Sequence, residues 1–119
     1  MGPATAEQVQ AAAELHERML PGFSGVIGDE FDRYFEITER VLWPEVWNHP
    51  GLDLKTRSLC NVAGLTALGL PNVANHIRGA LANGATKDEI AEVILQMAFY
   101  AGWPRAGNAI RIARTVFAE

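Results

Sequence analysis

What most constrains this chain is the way its helices are started and stopped. In "TAEQVQAAAELHERML", Thr5 and Gln8 stand at capping-box spacing, and strong helix formers continue to Met19. Thr86 and Glu89 repeat the device ahead of Ile90, Val93, Ile94, Met97, Ala98 and Ala101, an apolar stripe at helical spacing. Between these, Asp53 can cap "LKTRSLCNVAGLTALG", where Leu59, Val62, Ala63 and Thr66 share one face, and Gly69 and Pro71 close that helix and start the next. "PNVANHIRGALANG" ends at Gly84, in the position a left-handed cap favours. "GWP" at Gly102 to Pro104 breaks the stripe, which predicts a sixth helix from about Arg105 to Phe117. The Gly-rich turn "PGFSGVIGD" precedes a second helix whose expected inner face is Phe31, Tyr34, Phe35, Thr38, Val41 and Leu42, and Pro44 should end or sharply redirect it. No segment reads as a hairpin, so the expected class is all-α, with about six helices.

At 119 residues and 49% apolar, the chain is expected to form one domain over 1–119, an N-terminal helix and turn (1–28) leading into a core (29–119). The fifth and sixth helices are so apolar on one face that part of it is expected to lie between subunits of a homo-oligomer. A net charge of −4 with scattered Lys and Arg offers no basic patch to a phosphate backbone, so no nucleic-acid partner is expected. The lone Cys60 can make neither an intramolecular disulfide nor a CxxC pair, which fits a reducing compartment. The amino terminus lacks a signal-peptide pattern, and no apolar run approaches the roughly 20 residues needed to cross a bilayer. A cytoplasmic protein without a membrane partner is the expectation.

Several side chains carry possible chemistry. His76 is spaced with Val73, Ile77 and Ala80 along an apolar helix face, where a half-buried imidazole can work as acid or base near neutral pH. The alternative is a core histidine satisfied by a backbone carbonyl. Glu45 lies between Trp43 and Trp47; a carboxylate among rings suits proton transfer, whereas at the start of a helical turn it merely stabilises the amino end. Arg57 and Lys55 can hold a substrate carboxylate or form surface salt bridges. Tyr100 and Trp103, at the helix break, can line a pocket or plug the core. His16, His49 and His76 are far apart and have no HExxH, Glu-x-x-His or cysteine cluster beside them, so no metal site is expected. Nucleophile elbows and phosphate-cradling loops are absent as well.

Four stretches together, "W-x-E-V-W", "PGLD-x-KTRSL", "H-I-R-G-A-L-x-N-G" and "YAG-x-P", resemble the carboxymuconolactone decarboxylase family, part of the superfamily that includes the alkyl hydroperoxidase D proteins. The resemblance runs from about Tyr34 to the carboxyl terminus. It implies an all-helical fold and a homo-oligomer, usually a hexamer built as a trimer of dimers. It also separates two chemistries. The hydroperoxidase branch carries a CxxC pair shortly before its histidine and a glutamate in the preceding helix; here "GLPNVAN" precedes His76 and Ser58 stands at the glutamate position. Dithiol peroxide reduction needs an attacking and a resolving thiol, and Cys60 alone supplies one.

The decarboxylase branch acts on a small carboxylated unsaturated lactone. Its substrate accepts the electron pair left by CO2 as a dienolate, so no cofactor is implied. By resemblance, His76 is the general acid or oxyanion donor, Glu45 orients it or shuttles the proton, and Arg57 holds a carboxylate. The same resemblance implies an apolar wall of Trp43, Trp47, Tyr100 and Trp103, with the bends at Pro44 and Pro50 carrying Trp43, Glu45, Trp47 and His49 over the helix that bears His76. Three departures bear on the substrate. The Pro71–His76 segment is about one residue short, Asn48 and His49 replace a more familiar Arg before the proline, and Trp103 is larger than the usual aliphatic residue. His49 is then either a titratable substrate contact or a rim residue without a role. Besides the decarboxylase or a related lactone isomerase, two alternatives stand: a non-catalytic binding oligomer of the same fold, and a thiol peroxidase drawing a second cysteine from another subunit.

Overall fold

Both capping boxes form. Thr5 N–H donates to Gln8 Oε1 at 2.8 Å while Gln8 N–H donates to Thr5 Oγ1 at 3.2 Å; Thr86 N–H and Glu89 N–H make the reciprocal pair at 3.0 Å each. These bonds satisfy amide groups that a helix start leaves without a partner, and each cap contributes about 1 kcal/mol. A computed structural model of the chain describes residues 5–19 and 28–119, and every regular element among them is helical. Most of the Gly-rich turn at 21–29 lies outside the described residues. The chain divides into two compact units, Met1–Leu52 and Asp53–Glu119.

In the first unit, α1 (Ala6–Met19) buries Ala12, Leu15 and Met19, three and four residues apart on one stripe. α2 (Asp32–Ile37) begins where the Asp32 carboxylate accepts the Gly28 N–H at 2.8 Å. It runs without a break into a π-helical segment, Thr38–Trp47, against which α1 packs. Pro44 therefore does not end the helix, contrary to the expectation. A proline ring has no N–H and clashes with the carbonyl four residues back; the wider five-residue register relieves that conflict, and Asn48 N–H donates to Trp43 C=O, five residues back, at 3.3 Å. At the junction the Thr38 hydroxyl donates to Tyr34 C=O at 2.8 Å, competing for an acceptor the α register would use. The buried side chains here are Trp43, Pro44 and Trp47. Phe31, Tyr34 and Leu42 are exposed and Phe35, Thr38 and Val41 only half-buried, so the expected inner face is not a core face within this chain.

The second unit contains α3 (Leu54–Leu68), α4 (Val73–Ala82), α5 (Lys87–Ala101) and α6 (Trp103–Phe117). The Asp53 carboxylate caps α3 by accepting Thr56 N–H at 2.7 Å, a bond that holds its pKa below the ordinary carboxylate value. α3 and α4 end alike. Leu70 N–H reaches back to Leu65 C=O past Gly69, and Ala85 N–H to Ala80 C=O past Gly84, each glycine having positive φ. α3 packs on α4, α5 and α6, and α5 pairs with α6. Val62, Val73, Ile77, Ala80, Ile90 and Ile94 form the centre of the core. Burying each large aliphatic side chain contributes about 1.5–3 kcal/mol. α6 supplies mainly small residues, Ala106, Ala109 and Ala113, which let its backbone come close to its neighbours.

α6 starts at Trp103, two residues before the expected position, because Pro104 suits a first turn whose N–H groups need no helical partner. The bend between α5 and α6 is a single residue, Gly102, at φ 112° and ψ 144°. The α5 stripe is buried inside this unit at Ile90, Ile94 and Ala98, with Val93, Met97 and Ala101 half-buried. A second apolar face is uncovered in this chain: Leu95, Phe99 and Trp103, four residues apart, are exposed, as is Tyr100.

Candidate functional site

α3 and α4 run antiparallel, and two polar pairs cross between them. Ser58 lies opposite Asn83, and Asn61, one turn further along α3, lies opposite His76. Ser58 is fully buried and its Oγ is 2.9 Å from Asn83 Nδ2. Asn61 Nδ2 is 3.3 Å from His76 Nδ1. Along α4 the two contacts are seven residues apart, two full turns, so both fall on the side that faces α3.

His76 is half-buried, next to the fully buried Ile77 and one turn from Val73 and Ala80. Burial penalises the imidazolium and holds the His76 pKa below its ordinary value of 6.5, which favours the neutral ring. Its partner is a side-chain amide, not the backbone carbonyl considered from the sequence. Asn61 was not singled out by the sequence reading; its signal was a polar residue beside the apolar Leu59–Val62–Thr66 face. Arg57 is half-buried four residues before Asn61 and thus on the same side of α3. Lys55, the other candidate cation, is paired with Glu89 at 3.0 Å, tying α3 to the start of α5 and holding the Glu89 pKa down.

In the first unit, Trp43 and Trp47 are brought together, their ring centroids 5.6 Å apart. His16 of α1 stacks on Trp43 with ring centroids 4.8 Å apart, and its Nδ1 is 2.7 Å from Glu39 Oε1. Sequence reasoning missed His16 and Glu39 because the contact links residues far apart in the chain. The Trp43 indole N–H is buried and finds no acceptor among the described residues. Glu45 is half-buried between the two tryptophan positions. His49 is exposed, and its Nδ1 accepts Gly51 N–H at 3.0 Å, which shapes the turn that follows the π segment.

Tyr100 and Trp103 neither plug the core nor line an enclosed space within the second unit: they are 80% and 68% exposed. Phe99 meets Trp103 edge to face at 5.9 Å on the same surface. Cys60 is exposed with a free thiol. Among the described residues, no three His, Cys, Asp or Glu side chains are placed to share a metal ion, and no helix is long and apolar enough to cross a membrane.

Comparison with known proteins gives this geometry a context. The model of the carboxymuconolactone decarboxylase family matches residues 32–115. The chain belongs to that family. The matched region runs from the first residue of α2 almost to the end of α6 and includes all the candidate site residues from Trp43 to Trp103, but not α1. Over 93 residues the chain is 41% identical to a 4-carboxymuconolactone decarboxylase of Acinetobacter baylyi, covering 76% of this chain and 69% of that protein. It is 45% identical over 78 residues to an uncharacterised 15.0 kDa protein of Paracoccus denitrificans, 63% of this chain and 58% of the relative. It is 39% identical over 85 residues to a nitrosuccinic acid decarboxylase of Metarhizium robertsii, 66% of this chain and 56% of the relative. Against the last two relatives, the chain spans less than two thirds of their length.

Proposed function

We propose that this family member is a carboxy-lyase acting on a small carboxylated substrate that contains its own electron sink, an unsaturated lactone of the 4-carboxymuconolactone type. The observation that carries the reading is a half-buried imidazole, His76, paired to Asn61 on a helix of a chain of the carboxymuconolactone decarboxylase family, with burial favouring its neutral form. In the step envisaged, the C–CO2 bond breaks and its electron pair moves through the ring alkene to the lactone carbonyl, giving a dienolate and CO2. A proton then returns to the ring carbon and restores the lactone. Because the substrate supplies its own electron sink, the proposed step does not require pyridoxal, thiamine or a metal. The names of two relatives support the class: in a carboxylactone the sink is the conjugated carbonyl, and in a nitro acid it is the nitro group.

His76 is proposed to stabilise the developing oxyanion or supply the proton, and Arg57 to hold a carboxylate by a bidentate contact. Glu45 is proposed as the second proton-handling group, and Trp43, Trp47, His49, Tyr100 and Trp103 as substrate-contacting residues. The protein is proposed to work in the cytoplasm as a homo-oligomer in which a second copy covers the exposed Leu95–Phe99–Trp103 face. CO2 release from 4-carboxymuconolactone, measured for the wild type and for His76→Gln and Glu45→Gln, tests the assignment. Turnover by the wild type with large losses in both folded variants is expected. Full turnover by both variants would discard these roles, and no turnover by the wild type would discard the substrate.

A further inference from the structure

The two roles open to His76 make opposite demands on its ring nitrogens. A proton donor of useful strength must begin as imidazolium; an oxyanion donor need only be a neutral ring with a hydrogen on the nitrogen facing the substrate. We infer that Asn61 is a positioning residue that fixes His76 as the neutral Nε2–H tautomer, making it a hydrogen-bond donor to the developing enolate oxygen and not the source of the proton returned to carbon. The inference rests on the decarboxylase reading for its catalytic meaning and on side-chain geometry for the tautomer.

The geometry is as follows. Asn61 Nδ2 is 3.3 Å from His76 Nδ1; with the amide in this orientation its nitrogen donates and Nδ1 is the unprotonated acceptor. In a neutral ring the hydrogen is then on Nε2. A backbone carbonyl on Nδ1, the common arrangement, would select the opposite tautomer and leave Nε2 as a base. Burial acts in the same direction, because it disfavours the imidazolium that proton donation would need. A neutral imidazole placed to polarise a carbonyl is an established catalytic device. The antiparallel register of α3 and α4, held by the neighbouring Ser58–Asn83 bond, places the amide opposite the ring. Proton return must then come from another acid or from water.

The test uses the whole protein labelled with 15N-histidine, at neutral pH, with the His76 signals assigned by their loss in His76→Gln. Long-range 1H–15N spectra of the wild type should show a neutral ring with the hydrogen on Nε2. Asn61→Asp, which puts an acceptor on Nδ1, should move the hydrogen to that nitrogen or charge the ring. Asn61→Leu should give a tautomer mixture and lower kcat for 4-carboxymuconolactone at least about tenfold with little change in KM, part of the roughly 10²–10³ that loss of an oxyanion donor costs. A wild-type ring carrying hydrogen on Nδ1, or a tautomer unchanged in both Asn61 variants, overturns the inference whatever the activity. An Nε2–H ring in a protein whose His76→Gln variant turns over at the full rate sinks the decarboxylase role of His76 and leaves the tautomer assignment standing.

Discussion

The buried Ser58–Asn83 bond offers a double-mutant test of how α3 and α4 are held in register. Ser58 is fully buried and makes the 2.9 Å contact with Asn83 Nδ2, while Asn83 Oδ1 is buried and has no partner among the described residues. In Ser58→Ala the half-buried Asn83 amide N–H loses its hydroxyl acceptor, a loss of about 1–3 kcal/mol. In Asn83→Ala the stranded hydroxyl can turn back to a carbonyl of its own helix, and the unpaired Oδ1 is removed as well. Asn83→Ala should therefore cost less than Ser58→Ala, about 1 kcal/mol. The double variant should cost less than the sum of the two by about 1 kcal/mol, since the second substitution removes a group the first had already stranded. Urea denaturation followed by circular dichroism reads this as midpoint shifts at constant m, and melting gives roughly 4 °C per kcal/mol for a chain of this size. Costs that add to within about 0.3 kcal/mol would show that the two side chains do not cooperate, and the register argument would fail.

Gly102→Ala should lower stability by about 1–3 kcal/mol by calorimetry, because φ 112° with ψ 144° lies in a region that side chains rarely adopt. The lowered His76 pKa sets the sign of a pH effect: the unfolded chain binds a proton near pH 6.5 and the folded chain only below it. Stability from this residue is thus complete above 6.5 and lost as pH falls toward the folded value; denaturation midpoints should show that slope, and His76→Gln should flatten it. If neutral His76 is the active form, the acid limb of kcat/KM should have its midpoint below 6.5. If the proposed homo-oligomer forms through the exposed aromatic face, Phe99→Glu should shift the sedimentation coefficient toward that of a smaller species without unfolding the helices; an unchanged coefficient would reject that face as a subunit contact.

What the sequence disclosed follows from the range over which each signal acts. The boxes at Thr5–Gln8 and Thr86–Glu89, the Asp53 cap and the glycine ends at Gly69 and Gly84 are decided within five residues, and all formed as read. Pro44 was misjudged because its consequence depends on the register around it; a π-helical stretch keeps the chain helical where the α register would break. Periodicity singled out Phe31, Tyr34 and Leu42 as apolar, but periodicity cannot say whether a partner surface exists in the same chain, and here they are exposed. For the same reason the sequence could not show that Tyr100 and Trp103 are exposed on this chain. His76 was legible from its apolar helix neighbours, whereas Asn61 was not, since the pair is fifteen residues apart and meets only through antiparallel packing of α3 on α4. The His16–Trp43–Trp47 stack is likewise a product of packing between helices.

The most direct test of the decarboxylase account is CO2 release from 4-carboxymuconolactone by the purified wild type and by His76→Gln, with circular dichroism confirming that both are folded. The account predicts measurable turnover by the wild type and a kcat/KM at least about 10²-fold lower for the variant. Equal turnover by the two proteins would contradict it.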